Sequence, residues 1–329
     1  MHGFARALAR AALAALVLTA MATEPGWSQD PNYPNKPIRI IVGFAAGGGN
    51  DIFARLIGQK LSENIGQTVI IENKPGAGAR LAGEYVANQP ADGYTLMVSA
   101  SGAMSIAAAV YPRLAYHPTK SFVPLTMIAS FPLILAVPAN SSIKSVKELV
   151  EWAKAHPDKA NYPSTSPAFT ITSELLKLKT GMPGVMIPYK SSNEMMLSIA
   201  GEQTLYAFAD GPPTVPLVHA GKIRAIAVTG SQRSSELPEA PSMTEAGFPE
   251  VDVHLWSGVF VPAATPPAIV QKLETELRRV LADAGVRDKL KAMAVTPGGG
   301  PSDEFRRMID GDIKKFGDVA KAANLKFDD

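Results

Sequence analysis

Cysteine is absent from all 329 residues, which excludes a disulfide framework, thiolate zinc sites, a cysteine nucleophile and lipid attachment through an N-terminal thiol. Histidine is nearly as scarce. His2, His117, His156, His219 and His254 are scattered, with neither an HExxH spacing nor a pair on one helix face, so a transition-metal site has little support. No G-x-S-x-G elbow and no Walker motif occurs; hydrolysis would need a triad assembled from distant residues, and the chain cannot power transport through a P-loop. Gly76-Ala77-Gly78 begins like a dinucleotide fingerprint, but Leu81 fills the third glycine position, and the segment reads as a turn. Runs of one charge are missing too. The 32 Lys+Arg face 30 Asp+Glu, and setting aside Arg6 and Arg10 of the N-terminal leader leaves 30 against 30. Such a balance gives no electrostatic footprint for nucleic acid or an anionic membrane. No internal repeat or low-complexity block is visible.

The leader itself has a familiar make-up. Arg6 and Arg10 form a basic n-region, residues 11–20 an apolar core too short to span a bilayer, and Ala20-Met21-Ala22 a small-x-small cleavage site. A signal peptide over 1–22, cut after Ala22, is expected, leaving a soluble exported protein.

The remaining chain is long and apolar enough, at 46% hydrophobic residues, for two domains rather than one. Short β-branched runs at 38–44, 69–72, 95–99, 123–128, 133–137, 160–162, 185–189, 205–209 and 223–229 read as strands, with helical stretches between most of them. Residues 122–138 are hydrophobic throughout, yet Pro124, Pro132 and Pro138 favour two strands joined by a turn. The alternation predicts an α/β fold of open, largely parallel sheets with helices on both faces. Three helices stand out. Ile52, Phe53, Leu56, Ile57, Leu61 and Ile65 make one stripe, stopped by Gly66; Thr265 and Pro267 cap and open a second, with Ile269, Leu273, Leu277 and Leu281; Ser302 starts a third, with Phe305, Ile309, Ile313 and Phe316.

The most informative stretch is IRIIVGFAAGGGNDIFAR, residues 38–55. A strand-like run breaks into small residues and then opens an amphipathic helix. Gly47, Gly48 and Gly49 let the backbone approach a ligand, and the helix start near Asp51 offers unpaired amides and a partial positive charge. This is a cradle for a carboxylate or phosphate.

That stretch, followed in order by VIIENKPGAGARLAGEYVA, ADGYTLMVSASG, SVKELVEWAKAHPDKANYPS, IPYKSSNEMML and GKIRAIAVTGSQRSSELPEAPSMTEAGFPE, resembles the Bug family of periplasmic solute receptors, which serve tripartite tricarboxylate transporters. The resemblance covers about residues 33–327. It implies a two-lobed periplasmic-binding-protein fold of the type II, Venus-flytrap kind, joined by two crossover strands near Phe131 and His254. Lobe 1 would comprise 33–130 plus 255–329 and lobe 2 residues 131–254. It further implies a monomeric periplasmic receptor with no cofactor and no catalytic role, which captures a small organic acid and hands it to inner-membrane transporter subunits.

The family's first-lobe grip on a carboxylate matches Phe44, Ala45, Ala46, Gly48, Gly49 and Asp51, then Ser99, Ala100, Ser101 and Gly102. Asp51 can instead cap the helix or pair with Arg55. The second lobe departs from the commoner pattern. Where members often carry Gly-x-Gly-Ser/Thr and a nearby histidine, this chain has Pro163-Ser164-Thr165-Ser166-Pro167-Ala168-Phe169-Thr170. Ser164, Thr165, Ser166 and Thr170 still offer hydroxyls, Pro167 stiffens the loop, and Phe169 is either an aromatic wall or a core residue beneath it. Lys190 is a carboxylate partner or a solvated lysine. Asp210 is a cleft residue or a strand-end turn; facing the pocket, it would repel a dianion and favour a ligand with an amine or hydroxyl donor. Trp256 is expected to pack the hinge. Two other roles stay open: a sensory receptor for a membrane signalling partner, and a secreted hydrolase of a small ester or amide, against which the missing elbow argues.

Overall fold

The computed structural model describes residues 32–322, and the leader expected over 1–22 lies outside the described residues. Eleven strands and ten α-helices are described. In chain order they are β1 (Ile38–Val42), α1 (Gly49–Ile65), β2 (Val69–Asn73), α2 (Arg80–Ala87), β3 (Thr95–Ala100), α3 (Ala107–Val110), β4 (Phe122–Pro132), β5 (Ile134–Pro138), α4 (Val146–Ala155), β6 (Asn161–Ser164), α5 (Pro167–Thr180), β7 (Val185–Pro188), α6 (Ser192–Ala200), β8 (Ala207–Ala209), α7 (Gly211–His219), β9 (Ile223–Val228), β10 (His254–Pro262), α8 (Pro267–Ala282), α9 (Ala284–Lys291), β11 (Thr296–Pro297) and α10 (Ser302–Ala322). No described helix is long and apolar enough to cross a membrane.

The strands divide into a six-stranded sheet, β11-β4-β10-β3-β1-β2, a three-stranded sheet, β8-β5-β9, and a two-stranded sheet, β6-β7. Sheet membership changes at Leu133, between β4 and β5, and again between β9 and β10. The expected largely parallel sheets are therefore corrected. β1 is parallel to β2 and β3, and β6 to β7, but β10 is antiparallel to β3 and β4, β11 to β4, and β5 to β8 and β9. The cause is connectivity: β5 and β10 lie beside the two passages between sheets and insert against the direction of their neighbours. Nor does a turn join the two strands of 122–138. β4 runs on through the single residue Leu133 into another sheet, and its prolines sit where β4 and β5 tolerate them. β10 was not among the strands read from periodicity, because residues buried on both faces leave no alternation to see.

Local chemistry explains the helices. α1 buries Phe53, Ala54, Ile57 and Leu61 and ends at Gly66, whose φ of 68° is the left-handed conformation glycine adopts without a Cβ penalty. α8 buries Leu273, Leu277 and Leu281, but Pro266 is its N-cap, and Thr265 donates its hydroxyl to the Pro262 carbonyl at 2.8 Å instead of capping. α10 buries Phe305, Ile309 and Phe316. Phe305 packs edge-on against Trp256 at 4.9 Å between ring centroids, and both join Phe260 in the core beneath the large sheet.

A clamp sits where the chain passes between sheets. Buried Thr229 accepts from the Leu133 N–H at 2.8 Å, donates its own N–H to the Leu133 carbonyl at 2.8 Å, and donates its hydroxyl to the Val253 carbonyl at 2.6 Å. One side chain thus ties both connections together.

Candidate functional site

Loops at the carboxyl ends of β1, β3, β6, β7 and β8 converge on one small cavity. After β1, Gly47 takes a φ of 81°, a conformation that costs any residue with a Cβ. Its N–H donates to Asp51 Oδ2 at 2.9 Å, and Arg55 Nε reaches the same oxygen at 2.9 Å. Asn73 Nδ2 donates to Asp51 Oδ1 at 2.9 Å and to the Phe44 carbonyl at 3.0 Å. Asp51 therefore knits the loop from inside. Burial alone would raise its carboxyl, but the bonds from Arg55, Gly47 and Asn73 more than offset that and hold it below the usual range.

After β3, Ser101 fixes a π-helical turn, Gly102–Ile106, against β10: its N–H donates to the Trp256 carbonyl at 2.9 Å and its hydroxyl accepts the Trp256 N–H at 3.4 Å. Trp256 Nε1 donates to Asp312 at 2.6 Å, so this tryptophan packs structure and does not border the cavity. Gly102 stands close to the β6 loop; a Cβ there would lie 2.8 Å from Ser166 Oγ.

After β6, Ser164 and Thr170 share a hydrogen bond of 2.8 Å, and Ser164 also donates to the Ser166 carbonyl at 3.0 Å. Both hydroxyls are spent on shaping the loop. Ser166 is the N-cap of α5 and Pro167 its first residue. After β7, Ser191 caps α6 by accepting from the Glu194 N–H at 3.2 Å, while Glu194 accepts from the Lys190 N–H at 3.0 Å, a reciprocal arrangement akin to a capping box. The Lys190 side chain is exposed; its contribution is its carbonyl, which accepts from the Ala45 N–H at 3.1 Å.

After β8, Asp210 is the N-cap of α7 in position but makes no side-chain cap bond, and its Oδ1 is buried without a hydrogen-bond partner. Oδ2 lies against the start of α1, so closely that a Cβ on Gly49 would come within 1.7 Å of it. Burial pushes the Asp210 carboxyl up to about 6, against the pull of the Ser192 hydroxyl and the amides of Asp210 and Gly49.

The cavity these loops enclose measures about 20 Å³, room for about one water. Phe44, Gly48, Gly49, Ala100, Gly102, Thr165, Ser166, Phe169 and Asp210, all candidate site residues, line it. Ala45, Ala46, Asp51, Ser99, Ser101, Ser164, Thr170 and Lys190 do not border it. Asn50, Phe131, Ala168, Ser192 and Leu255 border it without having been named as ligand contacts, Phe131 having marked a crossover only. Asn50 stands between two residues that were; Ser192 follows the α6 cap; Phe131 and Leu255 come from the two long strands of the passages, where uniform hydrophobicity hides which face points inward. Phe169 is thus a wall of the cavity.

The starts of four helices, α1, α5, α6 and α7, meet here, and no lysine or arginine lines the space. Helix N-termini carry a partial positive charge that favours an anion, although Pro167 opens α5 and Pro212 and Pro213 sit in the first turn of α7 without N–H groups, and the Gly49 N–H already donates to Ser192 Oγ at 3.3 Å. A larger open groove of about 500 Å³ lies beside Trp152, Asn140 and Glu202, but it sits by Asn161 and Leu205, near the opposite, amino ends of β6 and β8. Ligands in α/β sheets sit at carboxyl ends.

Comparison with known proteins bears on the family and the fold. The profile of the tripartite tricarboxylate transporter family receptors matches residues 53–325. The protein BugT of Bordetella pertussis is 30% identical over 298 residues, 89% of this chain and 91% of BugT. Among solved structures, the periplasmic binding protein BugD superposes with a TM-score of 0.86 at 28% identity, covering 89% of this chain and 99% of that one. Rpa4515 of R. palustris with adipate superposes at 0.85 and 32% identity, covering 89% and 99%. The fold is that of the periplasmic binding proteins.

Proposed function

The chain belongs to the tripartite tricarboxylate transporter receptor family, a group of periplasmic solute-binding proteins, and from that premise we propose that it captures a small carboxylate in the cavity at the four helix starts and delivers it to a transporter permease. In this reading residues 33–130 plus 255–329 form one lobe and 131–254 the other. The change of sheet membership at Leu133 and before β10 supports that division. Ligand binds where Gly48 and Gly49 of the first lobe face Ser166, Ser192 and Asp210 of the second, and a cavity of about 20 Å³ has to open before any organic acid can pass in. Closure then buries the acid and presents one surface to the permease, with no chemistry done on it.

The observation that carries the reading is the meeting of helix starts from both sets of sheets on an enclosed space without a basic side chain. The adipate held by the similar Rpa4515 supports a small organic acid as the ligand class. Native mass spectrometry of the mature protein, followed by thermal shifts with di- and tricarboxylates, aromatic acids and amino acids, tests it. A copurified acid, or a midpoint that climbs with the concentration of one acid, is expected. Turnover of a bound ester or amide would overturn it.

A further inference from the structure

The cavity wall carries one ionisable group, Asp210, and it is acidic. That is an unusual neighbour for a carboxylate. The helix starts account for one negative charge on the ligand; they leave Asp210 Oδ1 buried and unpartnered. A buried carboxylate oxygen without a donor is costly unless the ligand supplies one. The rest of the lining is apolar or neutral: Phe44, Phe131, Phe169 and Leu255 provide walls, and Thr165, Ser166 and Ser192 provide hydroxyls.

Resting on the receptor reading above, we propose that the cleft selects a small acid with one carboxylate, an N–H donor that meets Asp210 Oδ1, and an apolar body between the two, in preference to dicarboxylates of the same length. An ammonium fits best, since it supplies both the missing donor and the opposite charge. A second carboxylate at the same place would face Asp210 across a desolvated gap with no cation to relieve it. Ser192, whose oxygen accepts the Gly49 N–H at 3.3 Å, pulls on the Asp210 carboxylate from the side of α6, and the oxygen left buried without a partner is Oδ1. With its carboxyl at about 6, Asp210 is chiefly ionised at neutral pH, the state that pairs with an ammonium and repels a dianion.

Matched probes decide it. Short ω-amino acids are titrated by calorimetry into ligand-free mature protein at neutral pH, beside the dicarboxylates and the unsubstituted acids of equal length. The amine-bearing acid of best-fitting length should bind at least about tenfold tighter than both its partners, and Asp210→Asn should shrink that advantage at least about tenfold by raising the affinity for the dicarboxylate or lowering that for the amine. A dicarboxylate that binds the natural protein as tightly as its amino counterpart overturns this inference and leaves the receptor reading standing. Silence of folded protein toward all three series overturns both. Should Asp210→Asn fail to fold, the ratios measured on the natural protein decide the matter alone.

Discussion

Gly49 shows how much a single missing methyl can carry. It begins α1 with no side chain because Asp210 occupies the place where one would go; an added Cβ would lie 1.7 Å from Oδ2. The arrangement without ligand already has Asp210 in that place, so Gly49→Ala should lower the midpoint of unfolding, at a cost of about 1–3 kcal/mol. The closed arrangement has no room for it. Ligand affinity should fall by about tenfold or more, the scale of overpacking a tight contact, in a calorimetric titration with whichever acid binds. Gly48 is less demanding, since its Cβ would meet Ser191 Cβ at 3.3 Å, and alanine there should be the milder change. Asp210 also predicts a pH effect. An unfolded aspartate titrates near 3.9 and the folded one near 6, so between these values the folded state binds more protons. The stability Asp210 contributes is greatest below the lower value and is lost as pH rises through the higher. Asp210→Asn carries no such charge. Its stability relative to the natural protein should therefore grow between pH 4 and 7, by on the order of 3 kcal/mol, in urea unfolding across that range. A difference that stays flat with pH would remove the buried charge from the account.

Among the elements, the two passages between sheets concentrate the most consequence in the fewest atoms. Thr229 holds Leu133 and Val253 together through one hydroxyl that both accepts and donates. Thr229→Val keeps the shape and removes both bonds, leaving a buried N–H and a buried carbonyl unpaired, at a cost of about 2–4 kcal/mol. Thr229→Ser restores the hydroxyl and should recover most of that loss. Urea midpoints of the two variants test the clamp, and equal midpoints for valine and serine would show that the hydroxyl is idle. Loops are the other element-level lesson. Their residues were legible as a group, yet the division of labour within them was not: Asp51, Ser164 and Thr170 turn inward to bond the loop, while Asn50 and Ser192 reach the cavity. Hydroxyls and carboxylates look alike in a sequence whichever way they point.

For the molecule as a whole, the α/β alternation and most strand positions could be read because β-branched runs and four-residue apolar spacings reflect burial directly. Strand direction could not. Periodicity is the same for a strand entering a sheet with or against its neighbours, so the antiparallel insertion of β5 and β10 was invisible. Phe131 and Leu255 escaped for a related reason: β10 is buried almost throughout, and β4 leaves only scattered positions partly exposed. Thr229 looked like an ordinary strand residue, since threonine is common in strands and only the meeting of 133 with 253 gives it a task. What was legible at this scale is the loop that borders the candidate cavity, because Gly47 to Gly49 followed by a helix admits few physical uses.

The convergence of helix starts in place of lysine or arginine has a kinetic meaning. The field of a dipole fades with distance faster than that of a charge, and residues 23–329 carry as many acids as bases, so on the receptor reading an acid in solution feels no pull until it is almost in place. Capture then proceeds by unaided diffusion, and dissolved salt has little to screen. Stopped-flow association rates measured in low and high sodium chloride should agree within about twofold, whereas a steered receptor would slow steeply. Such a receptor takes up its acid at the same pace in dilute and in saline surroundings, and what it retains is decided by how long each acid stays.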